Sequence, residues 1–478
     1  MLKKRLLVTI SFSFSIRYLY RTGMLHQLRN FADVVIAITW NEENLIRELK
    51  ADGFEVHLVP ESKKGVIYET ARKRINYWFT FFRLKNSLRV QEKYLNQFSS
   101  LKTILLNRLR GKINYARFLL PGYTNKIFKK EREALVADTN FNDMLALVDA
   151  LNIDAVLSVT PFHAQEDILL RACKHRGKQM LASILSFDNI TKRGWMPVIY
   201  DTYMVWNKYN HQQTLRIYKE IKDPLSVQVV GAAQFDFYYN DHNLLSKQDW
   251  MQLVGIPGNG RKIILYAGGP GSLFPNEPQY LKHILEAIDS GEIQGDPLVL
   301  FRCHPVDNLS KWKNYIGKHE NLVYDISWTG KEKLQYSNIT TEDIKKLCST
   351  LAYTDVHINL CSTMTVDGSA FRKPQIGPNY DEVKPAKQHL LQGMYQQEHF
   401  MPIIKSRGLL LAGSKKQLIS FINSALNNPE LVTQHSQKVL EEIITYTDGT
   451  STGRVVDIIK KTLKQHEDSS HSSELLSI

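Results

Sequence analysis

Short apolar runs alternate with amphipathic stretches along nearly the whole chain, and this alternation restricts the fold more than any other feature. Leu6 to Ile10, Val34 to Ile38 and Val56 to Val59 read as strands. After a long helical insertion the pattern resumes with Ala155 to Val159, Met180 to Ile184, Tyr203 to Trp206 and Val227 to Val230. Apolar runs of this length with helices between them make βα units and a parallel sheet. A loop signal follows, Val254-Gly-Ile-Pro-Gly-Asn-Gly260. Behind it a second series starts: Ile263 to Ala267, Leu298 to Phe301, Leu322 to Tyr324, Val356 to Leu360, Pro374 to Ile376 and Leu409 to Leu411.

The expected fold class is therefore α/β, with two Rossmann-like domains facing a cleft. Residues 1–245 form the first, carrying the helical insertion near 63–132, and residues 250–445 form the second. A closing helix within 446–464 packs back on the first half, and a tail at 465–478, rich in Ser, His and acid, is expected to be disordered. In such folds ligands bind outside the C-terminal ends of the strands.

Composition is that of a globular protein, 43% apolar and 23% charged. Four cysteines without CxxC spacing suggest neither a zinc site nor a disulfide framework, so a reducing compartment is expected. The start, Met1-Leu-Lys-Lys-Arg5, has the charge of a signal peptide. Its apolar run breaks at Ser11 and Arg17 follows, so it reads as a first strand. No run of about 18 apolar residues occurs, and no transmembrane helix is expected. The net charge of +13 is concentrated: Lys63 to Arg132 holds eighteen Lys and Arg against three Glu. That segment also holds Tyr77-Trp-Phe-Thr-Phe-Phe82. One reading is a solvated basic face over core-facing aromatics; another is peripheral contact with anionic lipid. Nucleic-acid binding has no recognition motif to support it. The expected location is the cytoplasm, and the lipid-contact reading would place the chain at the inner face of the membrane.

Four constellations carry candidate chemistry. Asn359-Leu-Cys-Ser-Thr-Met-Thr-Val-Asp-Gly368 reads as a strand that stops at Ser362 and Thr363 and turns into a helix, whose first N–H groups attract phosphate. Asp367, one turn on, suits a ribose. Phe301-Arg-Cys-His-Pro305 ends an earlier strand; Arg302 and His304 are placed to meet a phosphate and balance a leaving group's charge. Tyr266-Ala-Gly-Gly-Pro-Gly-Ser272 offers Gly268, Gly269 and Gly271 either as a phosphate or sugar loop or as a tight turn. In the first half, Ser158-Val-Thr-Pro-Phe-His163 and Ser186-Phe-Asp-Asn189 end strands. His163 or Asp188 is the candidate general base, with Asp188 alternatively an Asx-turn cap and Glu166 a further candidate. Arg17 to His26 is a candidate floor for the same site. Asp-x-Asp, HExxH and GxxxxGK[ST] are all missing from the sequence, so neither a metal nor another cofactor is expected.

Together these residues resemble the two-domain glycosyltransferases called GT-B. They are closer to bacterial surface-carbohydrate proteins: CDP-glycerol polymer transferases and the capsule and sialic-acid transferases. The likeness rests on Arg302-Cys-His-Pro305, Ser362-Thr363 with Asp367-Gly368, Ser186-Phe-Asp-Asn189, Val229-Val-Gly-Ala-Ala-Gln-Phe-Asp236 and Asp448-Gly-Thr-Ser-Thr-Gly-Arg454, over roughly residues 150–460. It implies that His304, Ser362 and Thr363 hold nucleotide phosphates and Asp367 the ribose, in transfer of a sugar or polyol phosphate to a glycan or lipid-linked acceptor. The base of the sialic-acid relatives has no clear match. The alternatives are a UDP-sugar 2-epimerase-like enzyme and a non-catalytic carbohydrate assembly protein on the same fold.

Overall fold

The computed structural model describes residues 3–60, 65–84, 87–305, 307, 309–327, 336–381 and 390–474. Lys63, Lys64 and Lys85 of the basic segment lie outside them. The chain divides into two compact units. Unit 1 is Met1–Leu88, Asn96–Gln234 and Thr450–Ile478, and unit 2 is Arg89–Leu95 with Phe235–Gly449.

Unit 1 is built on a seven-stranded sheet: β1 (Lys4–Ile10), β2 (Ala32–Ile38), β3 (Glu55–Leu58), β4 (Ala155–Ser158), β5 (Gln179–Ser183), β6 (Thr202–Val205) and β7 (Val227–Val229). The strand order is β3-β2-β1-β4-β5-β6-β7, every pair parallel. Alternate residues of each central strand enter opposite layers of the core. Leu7, Val35 and Val156 join one apolar cluster, and Leu6, Val8, Val34 and Leu157 join the other. That is why these strands read as unbroken apolar runs. The closing helix, Ser451–Glu474, feeds Val455, Ile459 and Leu463 into the second cluster. Gln179 Nε2 donates to the Thr462 carbonyl at 3.2 Å. This helix continues through residues whose composition suggested a disordered tail; residues 475–478 lie outside those described.

The basic insertion is helical. Helices span Val66–Phe82, Ser87–Asn96, Leu101–Leu119 and Tyr123–Val136. Part of the aromatic run faces inward on the first of these: Phe79 is buried and Trp78 packs on the core, while Phe82 is exposed. Tyr68, Arg72, Glu131, Asp167 and Arg171 form a buried network. Tyr68 Oη donates to Asp167 at 2.7 Å, Arg72 pairs with Asp167 at 3.1 Å, and Arg171 pairs with Asp167 at 3.0 Å and with Glu131 at 2.5 Å. Both guanidinium groups lie over the Trp195 ring, at 4.7 and 5.4 Å. Arg72 is therefore an anchor for the insertion rather than a solvated cation.

Unit 2 has a six-stranded parallel sheet: β8 (Ile263–Ala267), β9 (Leu298–Arg302), β10 (Leu322–Asp325), β11 (Val356–Asn359), β12 (Gln375–Pro378) and β13 (Leu410–Ala412), in the order β10-β9-β8-β11-β12-β13. Its start lies at Phe235, earlier than the expected 250. The reason is packing. Trp250 is fully buried in the unit 2 core, where its Nε1 donates to Thr350 Oγ1 at 3.0 Å. The Leu245 N–H donates to Ser349 Oγ at 2.8 Å. Arg89–Leu95, inside the insertion by sequence, also counts with unit 2, and Tyr94 packs edge-on to Phe274.

Candidate functional site

Each sheet reverses direction once. In unit 2 the chain runs outward from β8 to β9 and β10, then returns to the other side of β8 with β11. Ligands of doubly wound sheets bind at such a switch point, beyond the strands' carboxyl ends. The last paired row is Arg302, Ala267 and Asn359, on β9, β8 and β11. His304 and Ser362 leave that row on either side of β8, from strands separated by about 10 Å, twice the interstrand spacing. The topology thus brings the β8, β9 and β11 loops to one edge.

The β11 junction is sharply bent. Cys361 holds φ +45°, a left-handed conformation uncommon for a residue with a side chain. Asn359 Oδ1 receives Thr365 Oγ1 at 3.0 Å, and Ser362 Oγ receives the Met364 N–H at 3.2 Å. These bonds fix the turn into the Met364–Ala370 helix. Ser362 is half-buried and Thr363 exposed. Asp367 is buried and accepts the Tyr238 hydroxyl at 2.6 Å. Sequence reading missed Tyr238, whose partner lies 129 residues away.

Two expected phosphate contacts are corrected. The Arg302 guanidinium is buried, ion-paired with Asp325, and donates to the Ser327 carbonyl at 2.7 Å. Lys346 also pairs with Asp325. Arg302 is thus engaged inside the sheet's end, and phosphate binding is not its task. The glycine loop is also internally satisfied. The Gly268 N–H donates to the Arg302 carbonyl at 2.9 Å, Gly269 to both oxygens of Glu277 at 2.9 Å, and Gly271 to Asp307 Oδ1 at 2.8 Å. Pro270 has no N–H to give. Lys311 ties the two carboxylates together, 3.1 Å from Glu277 and 3.0 Å from Asp307. The glycines are needed for close approach: a Cβ on Gly269 would stand 2.7 Å from the Phe274 ring, and one on Gly271 2.6 Å from Asp307. Gly268, Gly269 and Gly271 therefore make a carboxylate-anchored tight turn, the second of the two sequence readings. Glu277 is fully buried, and burial pushes its carboxyl up to about 7 against the opposing pull of Lys311 and the Gly269 N–H.

In unit 1 the switch point lies between β1 and β4. There Glu166, at the N-terminus of the Asp167–His175 helix, is fully buried. It collects four hydroxyls: Thr9 at 2.8 Å, Ser158 at 2.5 Å, and those of Ser11 and Thr160. Burial raises its pKa while these four bonds lower it. The carboxylate pins the β1 and β4 loops to each other and is not open to solvent as a base would be. His163 is half-buried in the same turn and stacks on Phe12, rings 5.6 Å apart and 7° from parallel. Its Nδ1 receives the Gln165 N–H at 3.4 Å, so in the neutral ring Nε2 carries the proton. Phe14 meets Phe12 edge-on at 5.5 Å, and Arg17 lies 5.7 Å from the Phe14 ring. Sequence reading missed this aromatic pair, although Phe12 and Phe14 stand directly behind β1. Further along the expected floor, Arg21 pairs with Glu48 at 2.5 Å and His26 with Asp52 at 3.2 Å.

Asp188 follows β5 at the start of a single helical turn, Asn189–Lys192. Its carboxylate accepts Asn189 Nδ2 at 3.1 Å and lies 3.6 Å from Lys192. It stands at the same sheet edge as His163, one strand further from the switch point.

No protein-family model and no curated protein sequence matches the chain. Solved structures do. The UDP-GlcNAc 2-epimerase from Neisseria meningitidis, bound to UDP-GlcNAc, is 10% identical, with a TM-score of 0.55 over 96% of this chain and 100% of that one. UDP-GlcNAc 2-epimerase from Methanocaldococcus jannaschii is 11% identical, with a TM-score of 0.54 over 96% and 99%. A glycosyltransferase from Rickettsia africae ESF-5 aligns at 11% identity over 97% and 100%, with a TM-score of 0.49 that carries no weight. At these identities the likeness is one of fold, and the fold is the GT-B kind with two Rossmann-like α/β units.

Proposed function

We propose that the protein is an enzyme acting on a nucleotide-activated sugar, and that the reaction is glycosyl transfer to a glycan or lipid-linked acceptor. The observation that carries the reading is the unit 2 edge. Its strand order gathers His304, Ser362 and Thr363 around the switch point, with buried Asp367 one turn behind Thr363. In this reading Ser362, Thr363 and His304 hold the phosphates and Asp367 the ribose. His304 donates to the leaving phosphate oxygen as the glycosidic carbon–oxygen bond breaks. The acceptor hydroxyl forms the new bond, and its proton passes to Asp188 and not to His163, the other expected base, whose Nδ1 is taken up by the Gln165 N–H. Asp188 presents an acceptor carboxylate, and His163 Nε2–H suits orientation of an oxygen. The nucleotide-activated donor is a substrate, and the reading assigns no metal or other cofactor.

A second reading, epimerisation at C2 of a UDP-sugar, is supported by the structural similarity to 2-epimerases. The two differ in their need for an acceptor. Thermal shift of the full chain with UDP, CDP, CMP and GDP comes first. A ligand at 100 times its Kd stabilises by about 2.7 kcal/mol. Asp367→Asn and Ser362→Ala are expected to reduce the shift from the nucleotide that binds. Turnover of the matching sugar nucleotide is then followed with and without glycan acceptors. Acceptor-independent conversion to an epimer identifies the second reading, and loss of no nucleotide shift in the variants removes the proposed pocket.

A further inference from the structure

The Leu101–Leu119 helix of unit 1 leaves its apolar side chains outside. Leu101 is 79% exposed, Leu105 64%, Leu109 56% and Ile113 44%, a stripe at four-residue spacing, joined by Leu106, Leu119 and Leu120. At 3.6 residues per turn these side chains fall within about 140° of arc. The opposite side, Ile104, Gly111, Asn114 and Phe118, faces inward: Tyr77 Oη donates to the Gly111 carbonyl at 2.6 Å, and Phe118 is buried against Tyr123 and Tyr77. A packed inner face therefore holds the helix in place while its leucines face water, the reverse of an ordinary surface helix.

Its charge is as one-sided as its apolarity. Between Leu101 and Leu119 the helix carries Lys102, Arg108, Arg110, Lys112 and Arg117, and no Asp or Glu. Arg108 borders the stripe on one side and Arg110 and Arg117 on the other, while Lys102 and Lys112 stand among the leucines, where long stems let the ammonium groups reach headgroups. We infer that this helix docks the protein on an anionic bilayer surface, its leucines inserted at the headgroup boundary and its cations on lipid phosphates. A second copy of the chain fits poorly, because pairing two such faces would bring five cations against five. No helix among the described residues is long and apolar enough to cross a membrane, so the contact is interfacial. The docking element is this helix and not Val66–Phe82, whose Arg72 and Phe79 are internal.

The test is co-sedimentation of the full chain with phosphatidylcholine vesicles containing or lacking phosphatidylglycerol. Binding is expected to the anionic vesicles at low salt and to weaken steeply as salt rises. One cation near the surface is worth about 1 kcal/mol, about fivefold in affinity, so Arg108→Gln, Arg110→Gln and Lys112→Gln together should weaken binding about a hundredfold. Leu105→Glu with Leu109→Glu should abolish it. Both sets are exposed, so circular dichroism and the melting temperature should match the parent. Absence of binding to anionic vesicles at low salt overturns the inference. So does an oligomer in solution that the Leu→Glu pair dissociates while vesicle binding is unchanged.

Discussion

Replacing Glu277 by Gln tests whether the carboxylate beneath the glycine loop holds a proton near neutral pH. The folded protein places this group in full burial, and its carboxyl titrates at about 7, against an ordinary 4.5. At about 1.4 kcal/mol per pH unit, that gap corresponds to about 3 kcal/mol of stability. The sign follows from which state holds the proton more tightly. The folded state does, so the contribution is fully present below about pH 4.5 and is lost as pH rises through about 7. The Gln variant has no proton to titrate. It carries instead a fixed cost of about 1–3 kcal/mol for the bonds to Gly269 and Lys311 that an amide makes less well.

The measurement is urea unfolding of parent and variant at several pH values between 5 and 8. Hydrogen exchange over residues 263–303 identifies the transition that belongs to unit 2. The parent is expected to lose stability relative to the variant as pH rises, by about 3 kcal/mol over the range. A flat difference would show that Glu277 does not titrate there. A difference of opposite sign, with the parent losing ground as pH falls, would show that Lys311 at 3.1 Å outweighs burial and keeps the pair ionised. Either result refutes the argument that desolvation dominates here.

Gly269→Ala forces a methyl against the Phe274 ring and should cost about 1–3 kcal/mol in the same unfolding assay. Glu166→Ala strands the hydroxyls of Thr9, Ser11, Ser158 and Thr160 and should destabilise unit 1 by about 3–5 kcal/mol, whereas Glu166→Gln, which keeps an acceptor, should cost distinctly less. Asp167→Asn leaves Arg72 and Arg171 short of a buried counter-charge and should cost about 3–5 kcal/mol, read as a lower urea midpoint and faster proteolysis within residues 66–136.

The strands were legible because a parallel strand buried on both faces leaves a short apolar run that little else produces. The roles of strand-end residues were not. Arg302 reads in sequence like a phosphate ligand, being cationic and next to His304 and Pro305. Its partner, Asp325, sits directly opposite on β10, and cross-strand register is invisible before the sheet is assembled. The glycine loop misleads in the same way, since the carboxylates that consume its N–H groups come from Glu277 and Asp307, one beyond the loop and one beyond β9. The domain boundary moved because glycine marks flexibility and not packing. Tyr238 and Leu245, packed on the unit 2 core, commit the segment before residue 250 to unit 2 whatever lies at 254–260. For Glu166 a signal was present: Thr9, Ser11, Ser158 and Thr160 all stand at strand ends, and hydroxyls gathered there imply a shared acceptor.

The two units solve one problem alike. A loop beyond a strand must hold its shape if side chains on it are to meet a ligand. In unit 1 buried Glu166 ties the β1 loop to the β4 loop through hydroxyls, and in unit 2 buried Glu277 and Asp307, bridged by Lys311, tie the β8 loop to the segment after β9. In each case a carboxylate with its acceptors filled from within serves as a fastener. At those edges His163 in unit 1 and His304 and Ser362 in unit 2 are half-buried and Thr363 is exposed, all rings and hydroxyls, while half-buried Asp188 stands at the same edge as His163 as a carboxylate. In unit 2 the groups that the proposed function assigns to the phosphates are thus one ring and two hydroxyls. Under the proposed function that arrangement suits an anionic substrate, because a carboxylate open to the edge of unit 2 would repel the phosphates assigned to Ser362, Thr363 and His304.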